Sequence, residues 1–454
     1  MKMKALAALA VLTATTMLVG CSDSNETSSP SDSSKPVTLN AWIMPNSPQP
    51  DKDFLTLLKP YLDQHPNVKI NVTVLDWNSA WTKITAAATS GTGPDILQLG
   101  TTWVPAIAAM GGIEEVTDKV NDVGGASAWA PASWATTQIA GKPNVYGVPW
   151  FIDARAIFYR TDAFKQAGVD PATAFQSWDS FKAALEKVNG ISVDGGKTKM
   201  AAMTLPGKND WNVDHNIFPW VWAAGGEVLS SDNKKAVFND DKGLQGVLYY
   251  TGLAQSGLVD KGALEENTAQ TEADWENGKA AVLIDGSYMI STLATTKDKG
   301  GAAESPAAKN YAVAPLPPGP SGKAATFFGG SDLTVFSGSQ HKADAWDVIK
   351  YLSTDDAQLT YAKMTGDLPA KNAVFNNDYF KNDPNLKQFV DAAKNGRSYP
   401  SVAQWGPIET VLVKHLGNIW DFVAGVNGTY SQESVKKELD AAASEVDALL
   451  KQQQ

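Results

Sequence analysis

The chain has 454 residues, which is enough for two or more domains with buried cores. Its composition, 43% hydrophobic and 19% charged, is that of an ordinary soluble globular protein. The net charge of -11 argues against binding to nucleic acid or docking on anionic lipid headgroups, since both need a basic surface. The 15 tryptophans indicate binding surfaces as well as core, because an aromatic side chain combines a flat face with a polar edge.

The first segment has the pattern of a secretory leader. Basic Met-Lys-Met-Lys precedes an apolar run over 5–19 that is too short to span a bilayer comfortably. The run ends in Leu-Val-Gly-Cys, which resembles a bacterial lipobox and implies a signal peptide over 1–20, cleavage before Cys21 and acylation of its thiol, as by palmitate. A chance cysteine is the alternative, and as the single cysteine Cys21 allows no intrachain disulfide. Residues 22–36 are polar and of low complexity, so we expect a disordered tether behind this anchor.

Strand and helix patterns alternate from residue 37 onward. Alternating apolar residues and short apolar runs predict strands over 37–43, 68–74 and 95–99. Helical spacing predicts a helix over 54–62 and another that begins at the N-cap candidate Asn78. This order predicts a parallel sheet with crossover helices, in which ligands lie beyond the carboxyl ends of the strands. Those ends are 44–47, 76–77 and 100–103.

The stretch 146–160 has the pattern of a mostly apolar strand with one acid, Asp153, in its middle. A carboxylate in an apolar strand is costly unless something pairs with it. One interpretation is a salt bridge to Arg155 or a solvated strand edge. The other is that the strand passes between two lobes and Asp153 faces a ligand in the gap. The residues alone leave both interpretations open.

A second run of strands and helices follows. Apolar spacing predicts a helix over 178–188, a short strand over 201–205 and a strand that ends at 284. An aromatic helix begins near 218, after a loop that contains tryptophan and histidine. This run predicts a second α/β lobe. The remainder predicts an extended segment over 311–315, a short strand over 333–336 and mainly helices.

Catalytic and cofactor motifs are missing from the sequence. The four histidines are scattered without metal-ligand spacing, and there is no HExxH, Walker loop, nucleophile elbow or GxGxxG after a strand. We therefore predict no metal, no cofactor and no catalytic residues. A glycosidase needs a pair of carboxylates at a set separation, and the sequence does not exclude such a pair.

Several segments carry a family pattern when they are taken in order. Besides the lipobox they are His-Pro-Asn-Val-Lys-Ile-Asn-Val at 65–72, Ser-Gly-Thr-Gly-Pro-Asp-Ile at 90–96, Tyr-Gly-Val-Pro-Trp at 146–150, and the segments 157–168, 177–181, 277–281, 329–330 and 368–369. Together they resemble the extracellular solute-binding proteins of bacterial carbohydrate ABC transporters (family 1, which includes maltose-binding protein). The resemblance runs from about residue 37 to the end.

The resemblance implies an α/β fold of the two-lobed periplasmic-binding-protein kind, type II. Each lobe would be a mostly parallel sheet flanked by helices, with the ligand cleft at the hinge. Lobe 1 would comprise 37–152 and 312–368, and lobe 2 would comprise 153–311 and 369–454. One crossover strand is the stretch that contains Asp153, and the second is expected near 312–318.

The resemblance also implies ligand contacts. Asp153 corresponds to a carboxylate that accepts hydrogen bonds from sugar hydroxyls, and charged acceptors make the stronger bonds. Thr102 and Trp103 fall on a sugar-contacting loop, and Tyr288 falls on a stacking aromatic. The further candidates are Trp405, Trp211, Asp214, His215, Asn46, Trp77, Gly330, Ser331 and Arg397. For each aromatic, core packing is the alternative.

The predicted function is a lipid-anchored, extracytoplasmic receptor, monomeric and not an enzyme. It would capture a mono- or oligosaccharide and deliver it to the permease subunits of an ABC importer. Thr102 stands where the malto-oligosaccharide branch has an acid, and Arg160 stands where the family has asparagine, so the sugar need not be maltose. The alternatives are a secreted carbohydrate-active enzyme and a receptor for a non-sugar solute such as a polyamine.

Overall fold

The computed structural model describes residues 35–452. Cys21, the leader and nearly all of the tether lie outside the described residues, so the predictions made for them remain predictions. The strands are β1 (Val37–Ile43), β2 (Val68–Val74), β3 (Ile96–Gly100), β4 (Val148–Arg160), β5 (Ala201–Met203), β6 (Ala280–Gly286), β7 (Tyr311–Ala314), β8 (Thr326–Val335), β9 (Leu368–Pro369) and β10 (Gly396–Arg397).

Helices occupy most of the remaining described chain. They are α1 (Pro50–Gln64), α2 (Trp77–Ser90), α3 (Val104–Ala109), α4 (Pro131–Thr136), α5 (Thr161–Gln166), α6 (Pro171–Ala174), α7 (Trp178–Val188), α8 (Val213–Ala224), α9 (Asp241–Gln255), α10 (Thr268–Glu276), α11 (Tyr288–Ala294), α12 (Lys342–Leu352), α13 (Asp355–Thr365), α14 (Asn372–Phe375), α15 (Asp378–Asn382), α16 (Pro384–Ala393), α17 (Trp405–Ala424) and α18 (Gln432–Lys451). Short 3₁₀ helices lie at Thr117–Val123, Ala126–Ala128, Lys261–Glu265 and Lys297–Lys299.

The strands follow the order β2-β1-β3-β8-β4-β6-β5, with β7 and β9 paired to β4 and β10 paired to β8. β1 is parallel to both β2 and β3, which confirms the predicted parallel arrangement of the first run. β5 is likewise parallel to β6 in the second run. Among the strands named above, every antiparallel pair involves β4 or β8, the two long strands, and the short β10 is the one partner of theirs that runs parallel, beside β8. The sheet is therefore parallel toward its two edges and antiparallel at its centre.

Strand β4 changes its pairing partner at its midpoint. Its first half, from Val148 to Ala154, runs antiparallel to β8, and Asp153 lies opposite Gly329. Its second half pairs with β6, starting at Arg155 opposite Gly286, and with β7. The two charged residues of this strand thus lie where one pairing ends and the other begins.

Buried apolar side chains form separate clusters. One cluster joins α7, α8, α9, α17 and α18 to β5, β6 and the second half of β4. Another joins α1, α12, α13 and α16 to β1, β2 and both halves of β4, so the two clusters lie on opposite faces of the second half of that strand. A smaller third cluster joins α2 and α3 to β3. The amphipathic spacing of these helices accounts for the clusters, since each helix buries one apolar face.

Two local predictions needed correction. Asp76, not Asn78, is the N-cap of α2, and its carboxylate accepts a hydrogen bond from the backbone N–H of Asn78. The short strand predicted over 333–336 is the end of a longer strand, β8, which begins at Thr326. The second crossover expected near 312–318 stays a prediction.

Candidate ligand-binding site

A cavity of about 330 Å³ opens at the midpoint of β4. The loops after β1, β2 and β3 supply one part of its wall, through Asn46, Trp77 and Trp103. This agrees with the prediction that the carboxyl ends of those strands meet at one site. The loop before α8, helix α10 and the start of α11 supply another part of the wall. The volume lies at the lower end of the range that small-molecule sites occupy.

Arg155 organises the charged end of the cavity. Its guanidinium donates to Asp153 Oδ2 at 2.8 Å and to Asp285 Oδ1 at 2.7 Å. Burial disfavours the charged guanidinium, but the surrounding acids, Asp153 first among them, outweigh burial and raise the pKa of Arg155. Asp153 therefore has both predicted properties, since it is paired with Arg155 and lines the cavity.

Tyr288 joins two further acids to this arrangement. Its hydroxyl lies 2.5 Å from Asp285 Oδ1 and 2.8 Å from Glu272 Oε1. Burial, reinforced by the charge of Asp285, raises the pKa of Glu272 well above its usual value. The Tyr288 hydroxyl has one proton and can donate it to only one of these two oxygens. When that oxygen is Asp285 Oδ1, a protonated Glu272 can donate to the Tyr288 oxygen, and both contacts are then hydrogen bonds. We name Asp153, Arg155, Glu272, Asp285 and Tyr288 the Arg155 cluster.

Two carboxylate oxygens at this end have no hydrogen-bond partner among the described residues. They are Asp153 Oδ1 and Asp367 Oδ2, both of them buried. The Asp367 side chain lines the cavity although the residue is only 2% exposed, and its burial together with the charge of Asp153 raises its pKa well above the usual value. Buried acceptors are normally satisfied, so these two oxygens are available to a ligand.

Tryptophan rings form the apolar wall of the cavity. Trp77 and Trp211 stack with ring centroids 5.0 Å apart and an interplanar angle of 19°. Trp103 lies against both of them, at centroid distances of 5.5 Å and 6.3 Å. The Trp103 indole donates to Glu409 Oε2 at 2.8 Å, which fixes the orientation of its ring. This wall presents flat faces to the cavity beside the carboxylates.

A second charged group lies next to this wall. His215 Nδ1 lies 3.2 Å from both Asp214 Oδ1 and the Tyr399 hydroxyl, and its Nε2 lies 4.0 Å from Glu409 Oε1. The carboxylate of Asp214 outweighs the burial of the imidazole and raises the pKa of His215, while burial raises the pKa of Glu409 to about 7. We name Asp214, His215, Tyr399 and Glu409 the His215 cluster.

The His215 cluster has a spacing that could also suit a metal ion, since single ligand atoms of Asp214, His215 and Glu409 lie within 4.8 Å of one another. His215 offers its imidazole to both carboxylates, but neither Asp214 oxygen has a hydrogen-bond partner among the described residues and Nε2 lies 4.0 Å from Glu409 Oε1. This grouping could not be predicted from the sequence, because α8 and α17 are remote from each other along the chain.

Most of the predicted contact residues meet in the cavity. Those that line it are Asp153, Thr102, Trp103, Tyr288, Trp211, His215, Asn46, Trp77, Gly330 and Ser331. Gly330 has a φ of +121°, and a Cβ there would lie 2.0 Å from the carbonyl oxygen of Phe151, so only glycine fits at this wall position.

Three predicted contacts lie outside the cavity wall. Trp405 is fully buried and stacks on Tyr399 at 4.6 Å, as the core-packing alternative expects. Asp214 is also fully buried, beside His215. Arg397 pairs with Glu227 on the surface, with its guanidinium over the Trp222 ring. The structure thus does not bring these three residues into the cavity wall, and their role as ligand contacts stays a prediction.

Several lining residues were not predicted. They are Asp210, Asn212, Asn267, Thr268, Ala269, Glu272, Phe327 and Asp367, together with residues adjacent to predicted ones. The N-cap pattern at Asn267, with Gln270 three residues later, marks the start of α10 and would have indicated a helix terminus near this site. Asp367 precedes the Leu-Pro pair that the family pattern contains, which is the one sequence signal that pointed to it.

Comparisons with known proteins identify the family of the chain. The sequence model of a family described as bacterial extracellular solute-binding protein matches residues 45–359. The diacetylchitobiose binding protein DasA of Streptomyces coelicolor is 27% identical over 421 residues, covering 90% of this chain and 91% of that protein. The maltooligosaccharide ABC transporter solute-binding lipoprotein of Streptococcus pneumoniae is 23% identical, covering 96% of this chain and 98% of the other.

A solved structure shows the same fold. The ABC transporter solute-binding protein of Thermotoga lettingae, bound with α-D-tagatose, superposes with a TM-score of 0.78 at 22% identity and covers 91% of this chain and 99% of that chain. The predicted fold class is thereby confirmed. Among residues 35–452, no helix is both long and apolar enough to cross a lipid bilayer.

Proposed function

Since the chain belongs to the bacterial extracellular solute-binding protein family, we propose that it captures a mono- or oligosaccharide and delivers it to the permease of an ABC importer. The observation that carries this proposal is the pairing of flat indole faces with unpartnered carboxylate oxygens in one cavity. A pyranose has an apolar C–H face and a polar hydroxyl edge, so it matches both walls. The relatives named for diacetylchitobiose and maltooligosaccharide support the same substrate class.

Different side chains would contact the apolar face of the sugar and its hydroxyl groups. The rings of Trp77, Trp103 and Trp211 would pack on the sugar face, and Asp153 Oδ1 would accept a hydrogen bond from a hydroxyl. Asn46 is held in position by hydrogen bonds with Gln98 and Tyr361, and its amide would contribute at the rim. Such a site orients its ligand through few polar groups on an apolar surface.

The proposed lobes are 37–152 with 312–368, and 153–311 with 369–454. Trp77 belongs to the first proposed lobe and Trp211 to the second, and the two rings stack on each other, so a sugar that packs against this wall would contact both lobes at once. Binding would then favour the closed arrangement, because a ligand shifts an equilibrium only by its differential affinity for the two states. The permease would recognise that closed arrangement.

The lipid anchor belongs to the same proposal. Acylation of Cys21 would hold the protein at the outer face of the cell membrane, and residues 22–36 would give it reach. The relative from Streptococcus pneumoniae is named as a lipoprotein, which supports the proposal. Metabolic labelling with a palmitate analogue tests the anchor, and a Cys21→Ser variant should lose both the label and the membrane fraction.

We further propose that the protein releases the sugar unaltered. The family is one of binding proteins, and the Asp153 carboxylate is paired with Arg155. Incubating the protein with oligosaccharides should show stoichiometric binding without products. The formation of products would favour the carbohydrate-active enzyme instead.

Titration calorimetry against a panel of mono- and oligosaccharides tests the substrate class. We expect at least one sugar to bind with a Kd below about 1 mM, the weak end of specific recognition. If no sugar binds and a peptide or a polyamine binds tightly, the receptor has a non-sugar ligand and the proposal is wrong.

A further inference from the structure

The charges that line the cavity are unbalanced. Its acidic residues outnumber its basic residues, and no lysine faces it. The acidic residues are Asp76, Asp153, Asp210, Glu272 and Asp367, and the basic residues are Arg155 and His215.

Three of these acids are already engaged. Asp76 caps α2, and Asp210 accepts from the backbone N–H groups of Asn212 and Thr268 at 2.7 Å and 2.5 Å. Glu272 shares the Tyr288 hydroxyl with Asp285. Asp153 and Asp367 are left, each with one buried oxygen that has no partner among the described residues.

The available cations do not neutralise this pair. Arg155 divides its two terminal nitrogens between Asp153 and Asp285, so its single charge is shared. His215 lies between Asp214 and Glu409, which balance it inside its own cluster. In the empty cleft a proton on Asp367 can relieve this imbalance, and a ligand that displaces the proton would have to bring a positive charge of its own.

We propose that the sugar taken by this cleft carries a protonated amine, and that the ammonium group lies between Asp153 and Asp367. The inference rests on the proposed function and narrows its substrate class to amino sugars. The tryptophan wall suits the same ligand, because an ammonium group near an indole face gains cation–π stabilisation. A neutral hydroxyl could donate to only one of the two oxygens, whereas an ammonium donates to both.

The state of Asp367 gives a second signature of a cationic ligand. The charged or titratable groups that face its carboxyl are Asp153 and Arg155 from β4 and Tyr361 from α13, and the Thr365 hydroxyl is nearby. Burial, together with the charge of Asp153, raises the pKa of Asp367, so in the empty cleft this carboxyl keeps its proton to a higher pH than a solvated aspartate does. An arriving ammonium favours the carboxylate, so its binding releases a proton, and binding of a neutral sugar does not.

The test compares matched ligands on the purified full-length chain. Glucosamine, galactosamine and mannosamine are titrated beside glucose, galactose and mannose and beside the N-acetylated forms, with a glucosamine dimer beside cellobiose. At least one amino sugar should bind about tenfold or more tightly than its neutral parent, the scale of one charged hydrogen bond. At a pH well below the pKa of the amine, where the free ligand is already protonated, its binding enthalpy should depend on the ionisation enthalpy of the buffer with the sign of proton release.

Substitutions test whether the Asp367 carboxyl is responsible for the preference for the amine. Asp367→Asn should bring the ratio of amine to parent affinities close to one. Asp332→Asn is the control, because Asp332 is an equally buried carboxyl in β8 that accepts from Thr136 outside the cavity wall, and it should leave the ratio unchanged. If Asp367→Asn does not fold, the buffer dependence of the natural chain decides.

The possible results distinguish failure of the amino-sugar inference from failure of the proposed function. A neutral sugar that binds as tightly as its amine overturns the inference, as does an amine that binds without proton release at a pH below the pKa measured for Asp367 in the empty protein. Either result leaves the proposed function standing. Putrescine or spermidine binding in the absence of any sugar binding overturns the proposed function. If no amino sugar binds with a Kd below about 1 mM, the inference is wrong.

Discussion

The two charged clusters near the cavity make a useful comparison. Each gathers several acids around one base. Asp285, Asp214 and Glu409 are buried, whereas Asp153 and Glu272 keep part of their surface exposed. In the Arg155 cluster the base is a guanidinium that stays charged at every accessible pH, and one side of the cluster faces the cavity. In the His215 cluster the base is an imidazole, which can lose its charge. The positive charge is therefore permanent in the first cluster and depends on pH in the second.

The largest expected effect comes from breaking the Arg155 cluster. Arg155→Met leaves Asp153 and Asp285 buried without their cation, and we expect the free energy of unfolding to fall by about 3–5 kcal/mol. Urea denaturation followed by circular dichroism measures it. Arg397→Met, at a half-exposed surface pair, is the matched control and should cost less than about 1 kcal/mol. Equal losses in both variants would contradict the central role of Arg155.

The pH dependence of stability tests the His215 cluster. The folded pKa of Glu409, about 7, lies above its unfolded value, so the folded protein binds the extra proton and loses stability as pH rises toward 7. His215, with its pKa also raised, contributes stability below its unfolded pKa and loses it as pH rises through the folded value. Both groups thus act in the same direction.

Glu409→Gln separates the two contributions. The amide oxygen can still accept from the Trp103 indole, but the ionisation is gone. Measured by thermal or urea denaturation from pH 5 to pH 8, the variant should gain roughly 1–3 kcal/mol relative to the natural chain as pH rises. Parallel curves for the two proteins would show that Glu409 does not titrate in this range.

Asp153→Asn tests whether the Arg155 cluster contributes to sugar binding. The variant keeps an acceptor oxygen but loses the charge, and sugar binding should weaken by roughly 1–3 kcal/mol. Calorimetry on a folded variant measures the change. Unchanged affinity would mean that Asp153 serves only as the partner of Arg155.

The smallest expected effect concerns the tryptophan wall. Trp211→Leu removes a flat face and should weaken sugar binding by about 0.5–1.5 kcal/mol, with little change in stability because the ring is only half-buried. Trp405→Leu is the converse control, which should lower stability and leave affinity nearly unchanged. The reverse result would restore Trp405 as a contact and place Trp211 in the core.

The sequence was most informative where the signal is local. Alternation located β1 and β2, and the carboxyl ends of the first strands led to Trp77 and Trp103 because parallel strands bring those ends together. Asp153 and Arg155 were recognisable as a pair because they lie two residues apart on one strand face. The resemblance to the family supplied Tyr288, whose isolated position after a strand carries no pattern of its own.

The remainder depended on contacts between distant parts of the chain. Glu272 and Asp367 reach the cavity from α10 and from the turn before β9. The capping pattern at Asn267 and the Leu-Pro pair after Asp367 mark the neighbourhood of these acids, but neither signal shows that the carboxyl group itself faces a cavity. Trp405 resembled a contact because an aromatic at a helix start looks the same in sequence whether it faces a cleft or a core. The start of β8 at Thr326 was not predicted, because the Phe-Phe-Gly-Gly that follows shows no alternation of apolar and polar residues.

The changeover in β4 has a mechanical consequence. Extended backbone stretches very little, so any rotation of one end of the sheet against the other must be absorbed as torsion at the shared strands. In β4 that torsion falls on the residues between Asp153 and Arg155, where the pairing with β8 gives way to the pairing with β6. Asp153, the proposed ligand contact, and its partner Arg155 therefore lie where the torsion of β4 is concentrated. A rotation of one end of the sheet would change the direction in which both side chains point.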